Sequence, residues 1–209
     1  MTRILIVDDH EVVRRGLRQV LTEGFPGARF GEAASSEEAA AALGKEEWDL
    51  LLLDVNIPGR SGLELLEEVR RLWPRLPVLM VSAFPEEEFA VRSLRLGASA
   101  YLTKSSASDE LIAAARKALA GGKYVTATLA ERLAGMLGGE AGEPHAALSS
   151  RELQVLQLVA SGRTAKEIAA ELHLSEKTIA TYRSRIAEKM GLSTNVEIAR
   201  YAVQHKLVH

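Results

Sequence analysis

Four short apolar runs in this sequence each end on a polar side chain able to do chemistry. ILIV (4–7) leads into Asp8 and Asp9, LLLL (50–53) into Asp54, VLMV (78–81) into Ser82, and AYL (100–102) into Thr103 and Lys104. A carboxylate is costly to bury unpaired, so three acids that meet in one hollow need a cation. Close carboxylates repel by about 1–4 kcal/mol per pair at ~4 Å, depending on the local dielectric. Hard oxygen donors with no His or Cys nearby favour Mg²⁺, shared with water and phosphate. With the Ser82 hydroxyl and the Lys104 ammonium facing the same spot, the group becomes a receptor for a tetrahedral dianion. Asp54 is then placed to act as a nucleophile that carries a phosphoryl group as an aspartyl-phosphate.

Taken singly, each residue has a plainer explanation. An Asp at a strand end is often a turn or capping residue, a lone Ser a cap, a lone Lys a solvated charge. The ordered set, one polar group per run, is far more specific. The runs are separated by amphipathic stretches near 10–22, 36–44, 62–72, 86–96 and 108–120, and residues 29–33 form a weaker strand candidate. Strand, helix, strand at this spacing predicts an α/β domain, a parallel sheet with helices on both faces. Strands covered on both faces read as unbroken apolar runs, which accounts for the four leucines. In such sheets ligands bind at the carboxyl ends of the strands, where the strand order reverses. With the order 2-1-3-4-5, the first and third strands are neighbours there, and Asp8, Asp9 and Asp54 crowd together.

The chain has 209 residues, is 47% hydrophobic and 26% charged, and contains no cysteine. That composition is globular, and it excludes disulfides and thiolate metal sites. No apolar run approaches the roughly 20 residues that span a bilayer. MTRILIVDDH turns acidic after four apolar residues, unlike a signal peptide. Cytoplasmic localisation, with no membrane partner, is the expectation. The formal charge of -2 is unevenly spread. Residues 1–143 carry 17 Lys+Arg against 22 Asp+Glu, and residues 144–209 carry 9 against 6. An acidic front and a mildly basic tail suggest two modules with different partners.

Residues 126–137 read as one more amphipathic helix, and GGEAGEP (138–144) as the end of a linker. Four helical segments follow, near 149–160, 164–172, 175–190 and 193–205, with no strand signal. Ser35…Glu38, Ser61…Glu64, Ser149…Glu152, Thr164…Glu167 and Thr194…Glu197 are capping-box patterns. The tight break at HLS, with Ser175 capping the next segment, predicts a helix-turn-helix. At 100° per residue, Ile179, Ile186 and Met190 form the buried stripe of segment 175–190. Lys177, Thr181 and Ser184 face the other way, with Thr178, Ala180 and Arg185 at the margins. That small, polar, partly basic face suits a major groove. Lys177, Thr178, Arg185 and, on the preceding helix, Lys166 reach toward phosphates; Thr181, Ser184 and the Ala180 methyl are better placed for bases. From the faces alone, a helical interaction bundle with a solvated polar face fits as well. The last helix carries two apolar stripes, Val196–Ala199–Val203 and Ile198–Ala202 with Tyr201. One serves the core and leaves the other for a partner copy, unless both are internal.

VDDH, LLLLDVNIPGRSG, VLMVSA and GASAYLTKSS, across residues 3–121, resemble the receiver domain of bacterial two-component response regulators. The resemblance implies a flavodoxin-like doubly wound five-stranded sheet of order 2-1-3-4-5. It implies that Asp54 accepts phosphate from a sensor histidine kinase. It also implies that Asp8, Asp9 and Asp54 bind Mg²⁺ with the backbone carbonyl of Asn56, and that Ser82 and Lys104 contact the phosphoryl oxygens. Tyr101 would change rotamer together with Ser82 and carry the state of the site to the fourth and fifth helices. SSRELQVLQLVASG and KEIAAELHLSEKTIATYRSRIAEKMG resemble the LuxR-type output domain of the NarL/FixJ group. That implies a C-terminal all-α four-helix domain that binds promoter double-stranded DNA and dimerises through its last helix, with Val196, Ala199 and Val203 in the contact. Tyr182, where relatives often carry His, joins the DNA-facing set; Ala180 stands where Lys is frequent, and Ala100 where Gly is. The expected organisation is a receiver at 1–121, a helix-containing linker at 122–144 and a DNA-binding domain at 145–209. The expected function is a phosphorylation-dependent transcriptional regulator, with no enzymatic activity beyond its own phosphotransfer.

Two other readings fit parts of the set. Haloacid-dehalogenase-type phosphatases also place an Asp after a buried strand, but they need a second acid two residues on for general acid work, and Asn56 stands there. A regulator that no longer needs phosphate would not need the intact acidic set.

Overall fold

The computed structural model describes residues 1–84, 86–137, 144–205 and 207–208. The chain forms two compact units, Met1–Leu133 and Ala134–His209. The first alternates strand and helix: β1 (Arg3–Val7), α1 (Glu11–Gly24), β2 (Arg29–Ala33), α2 (Ser36–Lys45), β3 (Leu50–Leu53), α3 (Gly62–Leu72), β4 (Val78–Ser82), α4 (Glu86–Arg95), β5 (Ala100–Thr103) and α5 (Ser108–Leu119). The five strands form one sheet in the order β2-β1-β3-β4-β5, and every pairing is parallel.

Burial explains which segments were easy to read. The leucines of β3 and the apolar residues of β1 and β4 are almost fully buried. Ile4, Ile6, Leu50, Leu52, Leu79 and Val81 lie on one face, under Leu21 of α1 and Leu111, Ala114, Ala115 and Ala118 of α5. Side chains alternate along a strand, so Leu5, Val7, Leu51, Leu53, Val78 and Met80 serve the opposite face, where they are equally buried. Removing such a side chain from water is worth about 1.5–3 kcal/mol each. β2 is the edge strand and is only partly covered. Its sequence RFGEA is accordingly mixed, and its Gly31 leaves the space filled by the Trp48 ring.

Helix starts follow the predicted caps. Ser61, Ser149, Thr164 and Thr194 form full capping boxes with Glu64, Glu152, Glu167 and Glu197. Ser35 accepts from the Glu38 amide, but Glu38 bonds one residue further back, to the amide of Ala34. After α5 the chain is tied back onto the first unit. The Tyr124 amide donates to the Ser99 carbonyl (2.8 Å), Lys123 Nζ to the Leu94 carbonyl (3.3 Å), and the Thr126 hydroxyl to the Glu86 carboxylate (2.8 Å). α6 (Ala127–Leu137) follows, and the boundary between the two units falls within it. Residues 138–143 of the expected linker lie outside the described residues.

The second unit contains a 3-10 turn (Pro144–Ala147), α7 (Ser150–Ala160), α8 (Ala165–Glu171), α9 (Glu176–Met190) and α10 (Asn195–Gln204). α7 packs against α9 and α10, and α8 against α9. Lys189 of α9 reaches the Glu152 carboxylate at 2.6 Å, joining the end of α9 to the cap of α7. Between α8 and α9, His173 adopts the left-handed backbone region (φ 54°), and Ser175 caps α9 through the Thr178 amide. Among the described residues no helix is long and apolar enough to cross a membrane.

One glycine ties the fold to the acids. Gly62 opens α3 with its amide on the Val55 carbonyl (2.9 Å), and a Cβ there would lie 1.9 Å from the Asp54 backbone oxygen. Gly62→Ala is expected to destabilise the protein by about 1–3 kcal/mol, because backbone must move. Gly16, exposed within α1 with nothing near its missing Cβ, provides the contrast. Gly16→Ala is expected to stabilise by about 0.5–1 kcal/mol through helix propensity. Urea unfolding of both variants checks the opposite signs.

Candidate functional site

Hydrogen bonding that continues past the strand ends fixes the acids. The Asp8 amide donates to the Ala33 carbonyl of β2 (3.2 Å), and the Asp54 amide to the Val7 carbonyl of β1 (2.9 Å). The Lys104 amide donates to the Ser82 carbonyl (2.7 Å). Because β1 lies between β2 and β3, and β4 beside β3, the carboxyl ends of β1, β3, β4 and β5 open on one hollow. The order reverses at β1 and β3, the crevice where parallel sheets bind ligands.

In that hollow Lys104 Nζ lies 2.6 Å from Asp8 Oδ2 and 2.8 Å from Asp54 Oδ2. Asp8 and Asp54 are buried, at 1% and 3% exposure. Burial pushes the Asp54 carboxyl up to about 6; Lys104 opposes this and the neighbouring Asp8 charge adds to it. Burial works against the Lys104 ammonium, but Asp54 and Asp8 outweigh it and raise its pKa. One ammonium therefore serves two carboxylates, and the hollow remains short of positive charge. Asp54 Oδ1 is buried, and the Asn56 backbone amide bonds the Asp54 carboxyl in a way that favours its charged form. A buried anionic oxygen of this kind fits a divalent cation.

Asp9 is brought beside Asp8, and so is a residue the sequence reading left out. His10 Nδ1 lies 2.7 Å from Asp9 Oδ1 and 3.4 Å from Asp8 Oδ1, so the oxygen donors do have a histidine nearby. The His10 amide donates to Asp8 Oδ1 (2.8 Å), which folds the DDH turn so that its imidazole comes back to the acids. Adjacency in VDDH was the available signal. Arg14, whose guanidinium donates to the Asp8 carbonyl at 2.7 Å, had no comparable one. Ligand atoms of Asp8, Asp9 and His10 all lie within 4.8 Å of one another.

Ser82 is fully buried, and its Oγ accepts from the Phe84 amide at 3.3 Å. The Phe84 carbonyl accepts in turn from the hydroxyl of Tyr101, itself 1% exposed (2.9 Å). The half-buried Phe84 ring stands 5.0 Å from that of Phe89 in α4. A chain of contacts thus runs from the strand end to α4 and β5. Asn56 is half-buried just past Asp54. A separate cleft of 1010 Å³, lined by Trp48, Trp73, Leu76 and Leu119, opens beside Arg3 and Asp49 at the opposite ends of the strands. None of the residues singled out in the sequence lines it.

In the second unit Ile179 and Ile186 are fully buried, whereas Met190, near the end of α9, is only half-buried. Lys177, Ala180, Thr181, Ser184 and Arg185 are exposed on the opposite side, as is Lys166 on α8; Thr178 and Tyr182 are half-buried at the margin. The Thr181 and Ser184 hydroxyls donate back to the Lys177 and Ala180 carbonyls, at 3.0 and 3.1 Å. Their lone pairs face outward. On α10, Ile198 and Ala202 are buried, whereas Val196 and Val203 are 77% and 62% exposed and Ala199 is half-buried. The two apolar stripes are therefore not both internal.

Residues 4–116 match the family of the response regulator receiver domain, and residues 146–202 the bacterial regulatory proteins of the luxR family. The response regulator UvrY of Escherichia coli (strain K12) is 33% identical over 99% of this chain and 96% of its own length. The response regulator GacA of Pseudomonas viridiflava is 35% identical over 100% and 98%. Among solved structures, RcsB from Salmonella enterica serovar Typhimurium, bound to promoter rprA in the presence of the phosphomimetic BeF3-, matches with a TM-score of 0.66. It is 26% identical, over 96% of this chain and 97% of that one. With both families matched in this order, and relatives matched along nearly their whole length, the chain belongs to the NarL/FixJ group of response regulators, in which a receiver domain is joined to a LuxR-type DNA-binding domain that regulates transcription.

Proposed function

We propose that this regulator is switched by phosphorylation of Asp54 by a sensor histidine kinase, and that in the phosphorylated form it binds promoter DNA as a homodimer in the cytoplasm. The observation that carries the reading is Lys104 Nζ shared between Asp8 and Asp54 at 2.6 and 2.8 Å. An ammonium fixed beside a buried carboxylate is ready for added negative charge. We read residues 1–121 as the receiver, 122–144 as the connection and 145–209 as the DNA-binding domain.

In phosphotransfer, an Asp54 oxygen attacks the phosphorus of the kinase phosphohistidine. The O–P bond forms as the P–N bond breaks, and the electron pair leaves with the imidazole. Lys104 holds one phosphoryl oxygen electrostatically, and the Ser82 hydroxyl donates to another. Asp8, Asp9, Asp54 and the Asn56 backbone carbonyl are the residues to hold Mg²⁺, which when bound would supply the charge neutralisation needed to bring a phosphoryl dianion onto a carboxylate. Ser82, drawn to the phosphoryl group, gives up the Phe84 amide. The Phe84 carbonyl that holds Tyr101 is disturbed with it, and the change reaches α4. Moving such an equilibrium from mostly off to mostly on takes roughly 5 kcal/mol of differential stabilisation.

The α9 surface supports major-groove reading, with Lys166, Lys177, Thr178 and Arg185 toward phosphates and Ala180, Thr181, Tyr182 and Ser184 toward bases. RcsB was solved on promoter DNA and as dimers on DNA. Here the exposed Val196–Ala199–Val203 stripe is the surface we assign to the partner copy.

Asp54→Asn is expected to abolish labelling by a small acyl phosphate with Mg²⁺, read by mass spectrometry of the intact chain. Labelling that persists in the variant overturns the assignment.

A second expectation concerns pH. A carboxyl held at about 6 when folded, against its ordinary 3.8, keeps its proton in the folded state after the unfolded chain has lost it. Its contribution to stability is therefore greatest below about pH 4 and falls as the pH rises through 6, by on the order of 3 kcal/mol. In EDTA, the wild type should lose stability relative to Asp54→Asn between pH 4 and 7, and Mg²⁺ should restore it at pH 7. Paired urea titrations test this.

DNA affinity is expected to fall linearly with the logarithm of salt concentration. Lys177→Ala should weaken binding on every sequence tried and reduce that slope by about one. Fluorescence anisotropy at graded salt measures both, and a flat response in the wild type argues against phosphate contacts.

A further inference from the structure

His10 occupies the cap position of α1, where a Ser, Thr, Asp or Asn side chain would accept a hydrogen bond from the first turn. The imidazole makes no such bond. Its backbone amide is instead committed to Asp8 Oδ1 at 2.8 Å, and its Nδ1 is turned onto Asp9 Oδ1 at 2.7 Å. The helix thus forgoes a side-chain cap, and a nitrogen donor stands at the mouth of the acidic hollow. The ring is 63% exposed on the rim, held there by the acids themselves. On the inner side, Asp54 is buried and its Oδ2 shares Lys104 with Asp8. Ligand atoms of His10, Asp9 and Asp8 thus lie within 4.8 Å of one another, and Asp54 adjoins them through the Lys104 it shares with Asp8.

We propose that His10 is a nitrogen ligand of the divalent ion and biases the site toward first-row transition ions over Mg²⁺. The inference rests on the reading of Asp8, Asp9 and Asp54 as a metal site. Mg²⁺ is hard, prefers six oxygens and gives up water reluctantly, so an imidazole adds little to its binding. An imidazole binds the first-row transition ions better than it binds Mg²⁺, least so for Mn²⁺ and increasingly along the series, and exchanging a water for it raises their affinity. Asp8, Asp9 and the imidazole, set beside Asp54, keep a demand for positive charge while changing which ion supplies it. The competing role for the ring is an imidazolium paired with Asp9. That role gives no metal–nitrogen bond.

The test uses the full, tag-free chain with Mn²⁺ and Mg²⁺ as probes. Calorimetric titrations of the wild type, His10→Gln and His10→Ala give the ratio of the two affinities. Pulsed electron paramagnetic resonance of bound Mn²⁺, with the protein labelled with ¹⁵N-histidine, reads the nitrogen directly. A ¹⁵N coupling in the wild type that is missing from both variants, with the Mn²⁺-over-Mg²⁺ preference reduced about tenfold, is the expected result. Both metals binding the wild type with no nitrogen coupling, and with the same preference in the variants, overturns the role of His10 and leaves the acidic site standing. Failure of the wild type to bind either metal overturns the acidic site as well.

Discussion

Everything chemical in the first unit depends on one imbalance of charge. The parallel sheet delivers buried carboxylates from β1 and β3 to the same hollow and supplies one ammonium, Lys104, to serve Asp8 and Asp54 together. Two like charges in a medium of low polarity repel too strongly to be left alone, and a single lysine does not settle the account. The site is therefore incomplete by construction. It has an appetite for more positive charge, which in the proposed switch would let it tolerate a phosphoryl group that would otherwise be repelled. Burial that holds Asp54 near 6 records the same imbalance from the side of the proton.

The fold keeps this imbalance from dissipating. Asp8 and Asp54 are pinned through their own amides to neighbouring strands, and α3 begins so close behind Asp54 that only a glycine fits. Ser82, Phe84 and Tyr101 form a hydrogen-bonded series leading away from the acids, so a change at the strand ends has a physical route to α4. A rigid hollow with one deformable exit is what a switch requires, since packed interiors hold discrete arrangements better than graded ones.

The second unit works on different physics. Its helices are short, and its three capping boxes and the Ser175 cap are all formed, each satisfying backbone groups that would otherwise face solvent or core. The core of α9 lets its other side remain small, polar and basic. α10 divides its apolar residues between the interior and a surface that a monomer leaves wet. Membership of the response regulators with a LuxR-type domain gives both surfaces a context, and the exposed valines are the part of that context most open to a second copy.

Period and strand-end chemistry were legible without coordinates. Unbroken apolar runs identify β1, β3 and β4 because both faces are covered, and Ser/Thr-x-x-Glu spacing marks the helix starts because capping is local. β2 was faint because an edge strand needs no continuous apolar run. The acids, Ser82 and Lys104 could be named from the sequence, since each immediately follows its run. What they do to one another could not. That Lys104 divides itself between Asp8 and Asp54 is decided only when segments far apart in the chain are brought within a few ångströms, and that His10 turns back onto Asp9 is decided by the shape of the turn between them. Local pattern is set by backbone geometry over a handful of residues, whereas charge balance and exposure belong to the whole packed neighbourhood and exist only once it has formed.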